Sequence, residues 1–474
     1  MNSLLYLLPI LFPLGAGLFV LLGKPTRKGL FSCISAGLTV VSVIPLLGVH
    51  GAWEYRLSDS LVLLLRADRL SLFFLLLISV AALVTVICSC EYLLGAHRRH
   101  IFFGFLFLTL SAMMGIALSG NLVTFYMFFE LMTLFSFPLI LYQKGERSAR
   151  AGMVYLGFSV FGACLVLLGL FLGGELTLRP FGKPLATTYS SRQLWAYLLI
   201  ALGFSCKAGM MPLSNWLPTA HPEAPSPASA LLSGIITKTG ILGILRTTYF
   251  LFGATALQGT FPQTVLLVLS IMTIFTGSML AYKEQVLKKR LAFSSVSQIS
   301  YVIFALALMT PAGLCAALFQ VFFHACAKLG LFLCAGNYLH YASAHRVEDL
   351  VGMGRRMPGV TAAFTCFSLS LIGIPPFGGF VTKWLLASAA LTAGGFLPQL
   401  GVVILMVSAL LTAGYLLPIV SRAYFPGKDF TCTRSDAHFP MLGSLAFLVV
   451  VLVVFGLFPA PLEQFFRSVA AVVF

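Results

Sequence analysis

Charge is scarce in this 474-residue chain: 9% of its residues are charged, against roughly 25% in a soluble globular protein. Long polar stretches are scarce as well. The longest lie at about 50–69, 174–191 and 422–439, and none is long enough to enclose a core of its own. A soluble domain is thereby excluded. The ten cysteines contain no Cys-x-x-Cys pair, and no Cys/His cluster has zinc or iron–sulfur spacing; they read as small core hydrophobes. Walker loops, dinucleotide fingerprints and haem ligand sets are missing. We therefore expect no cofactor, no metal and no catalytic redox site, so that any driving force comes from an ion gradient or an attached partner. A cleavable signal is not expected either, because the positive charges at the N-terminus follow the apolar run instead of preceding it.

What the chain has in abundance is apolar residues, 59% of the total. They come in runs of about 20, each long enough to cross a hydrocarbon core. A β-barrel would show short alternating segments instead. The pattern predicts an all-α polytopic membrane protein of fourteen spans: 3–22, 30–49, 70–91, 101–118, 121–142, 151–173, 192–218, 226–250, 262–282, 292–309, 312–340, 359–389, 398–421 and 440–458. The net charge of +16 lies mostly in alternate loops, which is the positive-inside pattern and not a nucleic-acid surface. It places both termini on the outer side of a prokaryotic inner membrane. Spans seven and twelve are expected to be discontinuous. Pro212 and Pro218 interrupt the first, after Gly209; Pro375 and Pro376 interrupt the second, after Gly373. Five spans separate the breaks, so the two segments run in opposite directions, as in inverted repeats.

Few ions remain inside the spans: Glu130, Lys207, Lys238, Arg246, Lys328 and Lys383, with His324 as a titratable neighbour. A cation at mid-membrane costs about 2.5–3.5 kcal/mol on insertion scales, so these residues are expected to line hydrated paths or to pair. Glu130 is the one acid well inside a span, and Lys207 is its expected partner; a static salt bridge fixing helix packing is the alternative. Lys207 and Lys383 each sit beside a break, where free backbone groups are tolerable only against protein or water. Lys238 lies among Ser233, Thr237 and Thr239, whose hydroxyls are expected to solvate it. Arg246, about 12 Å further along the helix, is expected to be structural and to reach the outer interface. His324 and Lys328 are one turn apart on one face, and imidazole can shuttle protons at cell pH; the alternative for His324 is a hydrogen-bonded core residue. His221 and Glu223 lack a third ligand for a metal. The run KEQVLKKR (283–290) reads as a topology determinant, and Gly169 and Gly173 as ordinary helix packing.

Several segments carry a family resemblance: FYMFFELMTL, CKAGMMPLSNWLPTAHPEAPSPASALLSGIITKTGILGILR, LKKRLAFSSVSQISY, FHACAKLGLFL, EDLVGMGRRMP and GIPPFGGFVTKW. From about residue 100 to 390 the chain resembles the antiporter-like membrane subunits shared by respiratory complex I, Mrp-type cation/proton antiporters and membrane-bound hydrogenases. The resemblance implies a single transmembrane domain with three N-terminal helices (1–100), two inverted five-helix repeats (spans four to eight in 101–252, spans nine to thirteen in 260–424) and a C-terminal helix (440–474). It implies Glu130 and Lys207 as a coupling pair, Lys238 with His324 or Lys328 as a central hydrated axis, and Lys383 at a second half-channel. The chain stops soon after span fourteen, so the long lateral helix of the largest subunit type is not expected, and Lys383 stands where some members carry glutamate. The expected partners are other membrane subunits, a peripheral redox module, the bilayer and protons. Sodium–proton exchange and a non-pumping scaffold are the rival readings.

Overall fold

The computed structural model describes residues 2–23, 28–48, 51–56, 58, 61–184, 186–427 and 432–474. Lys24, Arg27 and Lys428, which contribute to the expected inner-face charge, lie outside them. In chain order the long helices are α1 (Asn2–Gly23), α2 (Lys28–Val43), α3 (Arg69–Tyr92), α4 (Arg99–Leu118), α5 (Leu122–Ile140), α6 (Glu146–Gly173), α7 (Ser191–Ala208) and α8 (Trp216–Glu223). They continue with α9 (Ser226–Phe252), α10 (Phe261–Lys283), α11 (Leu287–Ala307), α12 (Pro311–Ala342), α13 (Pro358–Ile372), α14 (Gly378–Ala393), α15 (Phe396–Tyr424), α16 (Phe439–Leu457) and α17 (Ala460–Ala470). The chain is an all-α polytopic membrane protein. Among the described residues, twelve helices are long and apolar enough to cross a membrane. That set leaves out the two interrupted segments, α7 with α8 and α13 with α14; the fourteen expected spans count each of these pairs once.

Helix starts follow short polar side chains that accept otherwise orphaned backbone N–H groups. Asp68 caps α3 through Ser71 N at 2.8 Å, and Asn121 caps α5 through Thr124 N at 2.8 Å. The breaks use glycine where the backbone turns left-handed: Gly209 has φ +89° and Gly373 has φ +91°. The 50–69 connection is not a plain loop. Ala52–Arg56 pairs antiparallel with Val62–Arg66, and side and main chains around the start of α5 tie the hairpin down. Asn121 Nδ2 donates to Val62 O (2.8 Å), Leu64 N to Thr124 Oγ1 (2.9 Å), and Gly120 N to Leu64 O (2.7 Å). These bonds satisfy a strand edge that would otherwise be open for pairing.

The helices gather into two compact units: Met1–Ala208 with Ile235–Pro262 and Ala471–Phe474, and Gly209–Gly234 with Gln263–Ala470. Lipid tails are as apolar as leucine, so packing between helices depends on close approach and polar contacts. In the first unit, α6 and α7 meet on glycines: a Cβ on Gly203 would lie 2.5 Å from Gly162 O, and one on Gly169 would lie 2.7 Å from Ala196 O. Gly173 instead abuts Thr177, so only part of the expected glycine motif serves the helix pair. In the second unit, Gly379 fits against the Ser370 carbonyl, and Ser278, Ser297, Tyr301 and Ser408 share a hydroxyl cluster.

Arg246, 2% exposed, donates to both carboxylate oxygens of Asp68 (2.5 and 2.8 Å) and to Ser71 Oγ (2.9 Å). Its guanidinium lies 4.8 Å from the Phe250 ring centroid. The arginine thus locks α9 to the N-terminus of α3. Burial alone would raise the Asp68 carboxyl, but the Arg246 charge and its hydrogen bonds outweigh burial and hold it below its ordinary value.

Two outcomes follow. Gly203→Val should lower the unfolding temperature in detergent, since forcing a methyl pair into this contact costs about 1–3 kcal/mol. Asp68→Ala should cost about 3–5 kcal/mol, because it leaves the buried Arg246 charge unpaired. As the folded Asp68 carboxyl titrates below its unfolded value, its contribution is present above about pH 4 and is lost as the pH falls through the folded value. Thermal melts of wild type and Asp68→Asn should therefore converge only in acid.

Candidate functional site

Lys207 is the penultimate residue of α7 and 1% exposed. A buried ammonium must have its three donors met, and three hydroxyls meet them. Nζ donates to Tyr155 OH at 2.7 Å, Thr133 Oγ1 at 2.9 Å and Ser159 Oγ at 3.0 Å. Tyr155 OH in turn lies 2.5 Å from Ser136 Oγ, and the ammonium sits 4.2 Å from the Tyr155 ring centroid. The cage follows from helical spacing. Thr133 and Ser136 are one turn apart on α5, and Tyr155 and Ser159 are one turn apart on α6.

Glu130 precedes Thr133 by three residues on α5. Among the described residues no ion pair within 4 Å joins it to Lys207, and its Oε1 is buried without a hydrogen-bond partner. The two charges still lie close enough to act on each other electrostatically. The direct contact expected from sequence is thus replaced by a hydroxyl cage with the carboxylate beyond it.

Lys238 is 1% exposed and follows a π-helical stretch, Leu232–Ile236; a second, Arg246–Phe252, closes α9. Such single π turns occur frequently at functional sites. Thr239 Oγ1 donates to Ile236 O at 2.7 Å, and Ser233 Oγ lies 2.7 Å from Ser295 Oγ.

In the second unit, His324 and Lys328 are both buried on α12, one turn apart, but their surroundings differ. Lys328 Nζ donates to Leu291 O at 2.9 Å and to Ser294 Oγ, both on α11. His324 lines a small cavity whose walls include the polar side chains of Gln298, Gln320, Ser370, Thr382 and Lys383 beside apolar Phe323 and Leu371. Gln320 Nε2 donates to Gln298 Oε1 at 3.1 Å beside it. The cavity therefore brings His324 and Lys383 to one place, with Lys328 outside its lining.

Lys383 Nζ donates to Leu371 O at 2.9 Å and to Ile372 O. These are the last carbonyls of α13, which have no partner within the helix. A cation there also faces the negative end of the helix dipole. The break at Gly373 and the lysine thus complete each other. Pro375 and Pro376 lie in that break and Pro212 in the other, where the Met211–Pro212 and Pro375–Pro376 peptides are cis. Pro218 sits inside α8.

Three features lay outside the sequence reading. The cage residues Thr133, Tyr155 and Ser159 are one; their only signal was hydroxyl spacing at three and four residues. The others are Lys288 and Arg290, read as part of a basic loop run but 7% and 5% exposed. Lys288 Nζ donates to Ala224 O at 2.8 Å, and Arg290 to Glu284 O and Tyr415 O at 2.7 and 2.9 Å. Lys289 alone of the three stays out, pairing with Glu284 at 2.9 Å. His221 is buried with its ring 4.6 Å from that of Phe332. Among the described residues no three His, Cys, Asp or Glu side chains gather as a metal site.

A family model described as NADH:quinone oxidoreductase/Mrp antiporter, transmembrane, matches residues 119–412. NADH-quinone oxidoreductase subunit N of Desulforudis audaxviator is 29% identical, over 96% of this chain and 95% of that protein. Hydrogenase-4 component B of Escherichia coli is 32% identical, over 74% of this chain and 53% of that protein. A chain in the Mrp complex structure from Dietzia sp. DQ12-45-1b superposes with a TM-score of 0.86 at 23% identity, covering 99% of this chain and 97% of its own. That last likeness concerns the fold.

Tyr155→Phe should remove one of the three acceptors of the buried Lys207 ammonium. A hydrogen bond to a charged group contributes about 1.5–3 kcal/mol, so thermal melts at neutral pH should show a loss of that size. Tyr126→Phe, on a half-exposed neighbour of Glu130, should leave the melt unchanged.

Proposed function

Since the chain belongs to the NADH:quinone oxidoreductase/Mrp antiporter transmembrane family, we propose that it moves protons through a series of buried side chains within a larger membrane complex. It is an antiporter-like subunit of the kind that complex I, hydrogenase and Mrp assemblies contain. In our reading the stations are Lys207, Lys238, His324 with Lys328, and Lys383. Protons enter from the cytoplasmic side near the first repeat and leave near Lys383. Spans four to eight and nine to thirteen act as inverted repeats, and both termini face the outer side of a prokaryotic inner membrane. A peripheral redox module drives the assembly.

One observation carries this reading: the Lys207 ammonium is held by neutral hydroxyls, with the nearest carboxylate, Glu130, not in contact. A hydroxyl can accept or donate. When the ammonium gives up its proton, Thr133, Tyr155 or Ser159 can rotate and donate to the free amine, so both protonation states keep hydrogen-bonded partners. A carboxylate clamped on the lysine would favour one state only. Glu130, near but not bound, supplies the field that a small displacement strengthens or weakens. The cavity holding His324 and Lys383 supports a second transfer of the same kind.

Sodium–proton exchange has less to build on. A sodium site needs several hard oxygens, and the carbonyls exposed at the second break, Leu371 and Ile372, are already taken by Lys383.

Lys207→Ala and Glu130→Gln, each introduced into the assembled complex, should abolish proton uptake by vesicles while the subunit still co-purifies with its partners. Unchanged uptake in either variant overturns the mechanism. Uptake that persists while tracking a sodium gradient selects the exchange reading.

A further inference from the structure

Cys33 and Cys90 are two of the half-buried cysteines of this chain. Cys33 lies on α2, and Cys90 is the third residue from the end of α3. Their sulfurs are 3.6 Å apart. The approach is set by backbone and not by chance rotamers alone. Gly29 stands one turn before Cys33 on the same face of α2, and a Cβ placed on it would lie 3.7 Å from Cys90 Cβ. The Cys90 side chain thus packs directly against the backbone of α2 at Gly29. Cys90 Sγ also reaches Gly29 O at 3.5 Å, so the Cys90 side chain points into the α2 face that carries Cys33.

The surroundings suit sulfur chemistry. Reactive thiols sit in electropositive, partly exposed settings, whereas structural ones are buried and inert. Arg99 Nη2 donates to Cys90 O at 2.9 Å, which brings a guanidinium beside the pair. Cys88, Cys206, Cys315, Cys326 and Cys334, by contrast, are buried. A disulfide needs its two sulfurs about 2.05 Å apart, and the Cys33 and Cys90 sulfurs are already in contact at 3.6 Å on two helices packed together.

We propose that Cys33 and Cys90 are a redox-active thiol pair that closes to an intrachain disulfide on exposure to a low-molecular-weight disulfide, stapling α2 to α3. The reaction is two successive exchanges. One cysteine thiolate attacks a sulfur of the small disulfide, forming a mixed disulfide and expelling a small thiolate. The second cysteine thiolate attacks the protein sulfur of that mixed disulfide, forming the Cys33–Cys90 bond and expelling the other small thiolate. The two protons released by the cysteines go to the two departing thiolates. Two protein thiols are oxidised and one small disulfide is reduced. This inference is independent of the proton-translocation reading.

The test uses the full wild-type chain in detergent, incubated with oxidised glutathione, then alkylated and digested for mass spectrometry. The expected result is a linked pair of peptides containing Cys33 and Cys90, loss of alkylation at both, and recovery of both after dithiothreitol. Cys33→Ser should convert Cys90 to a glutathione adduct, and Cys90→Ser should do the same for Cys33, because the second exchange is then blocked. The proposal is overturned if wild-type Cys33 and Cys90 remain alkylated after oxidation. It is equally overturned if each carries its own glutathione adduct, or if Cys90 links to a cysteine other than Cys33.

Discussion

The structure depends on one constraint: inside lipid there is no water to hydrogen-bond a polar group, so the protein must supply every partner itself. Regular helices meet this for the backbone. Wherever the chain departs from a regular helix, something else must answer the freed groups. At the end of α13 the answer is the Lys383 ammonium on the carbonyls of Leu371 and Ile372. At the hairpin before α3 it is Asn121, Thr124 and Gly120. The starts of α3 and α5 use Asp68 and Asn121. The fold follows from satisfying this constraint at each irregular place.

The same constraint separates two kinds of buried cation. Arg246 is met by a carboxylate in a two-pronged contact. Arginine stays charged in proteins, and removing either partner strands the other, so the pair fixes α9 against the start of α3. Lys207 is met by hydroxyl oxygens and Lys328 by a hydroxyl and a carbonyl oxygen. Lysine can lose its proton, and a hydroxyl can reverse its role. The buried arginine and the buried lysines thus differ in their partners and not in the depth of burial, since Arg246, Lys207 and Lys328 are all 2% exposed or less.

Much of this was legible before any coordinates. Runs of about twenty apolar residues identify spans because few other structures need them, and ions stand out within such runs. The Gly-Pro interruptions at Pro212 and Pro375 announced broken segments for the same reason. The partners were not legible. Glu130 and Lys207 have opposite charges and sit in spans five and seven, which suggests contact, but the choice between Glu130 and the Thr133–Tyr155–Ser159 cage depends on how α5, α6 and α7 rotate about their axes. The hairpin escaped notice because Val-Leu-Leu-Leu lacks the alternation of a half-buried strand. Lys288 and Arg290 read as loop charges because loop cations usually are; their burial follows from carbonyls at Ala224 and Tyr415, which lie 64 and 125 residues away in sequence.

The places where the helices become irregular are also the places where the lysines stand. Lys207 lies just before the first break, Lys238 just after a π stretch, and Lys383 against the second break. A break or a π turn frees backbone carbonyls, and an ammonium brings three donors on a flexible stem. In lipid each alone is costly, and at the second break they cancel part of that cost, because the Lys383 ammonium takes the carbonyls of Leu371 and Ile372. There the irregular turn makes room for the lysine, whereas Lys207 is met by hydroxyls of α5 and α6 and Lys328 stands within the regular helix α12. At that break the lysine in turn satisfies carbonyls that the interrupted helix leaves open, and an ionisable group is kept within an apolar span that would otherwise disfavour it.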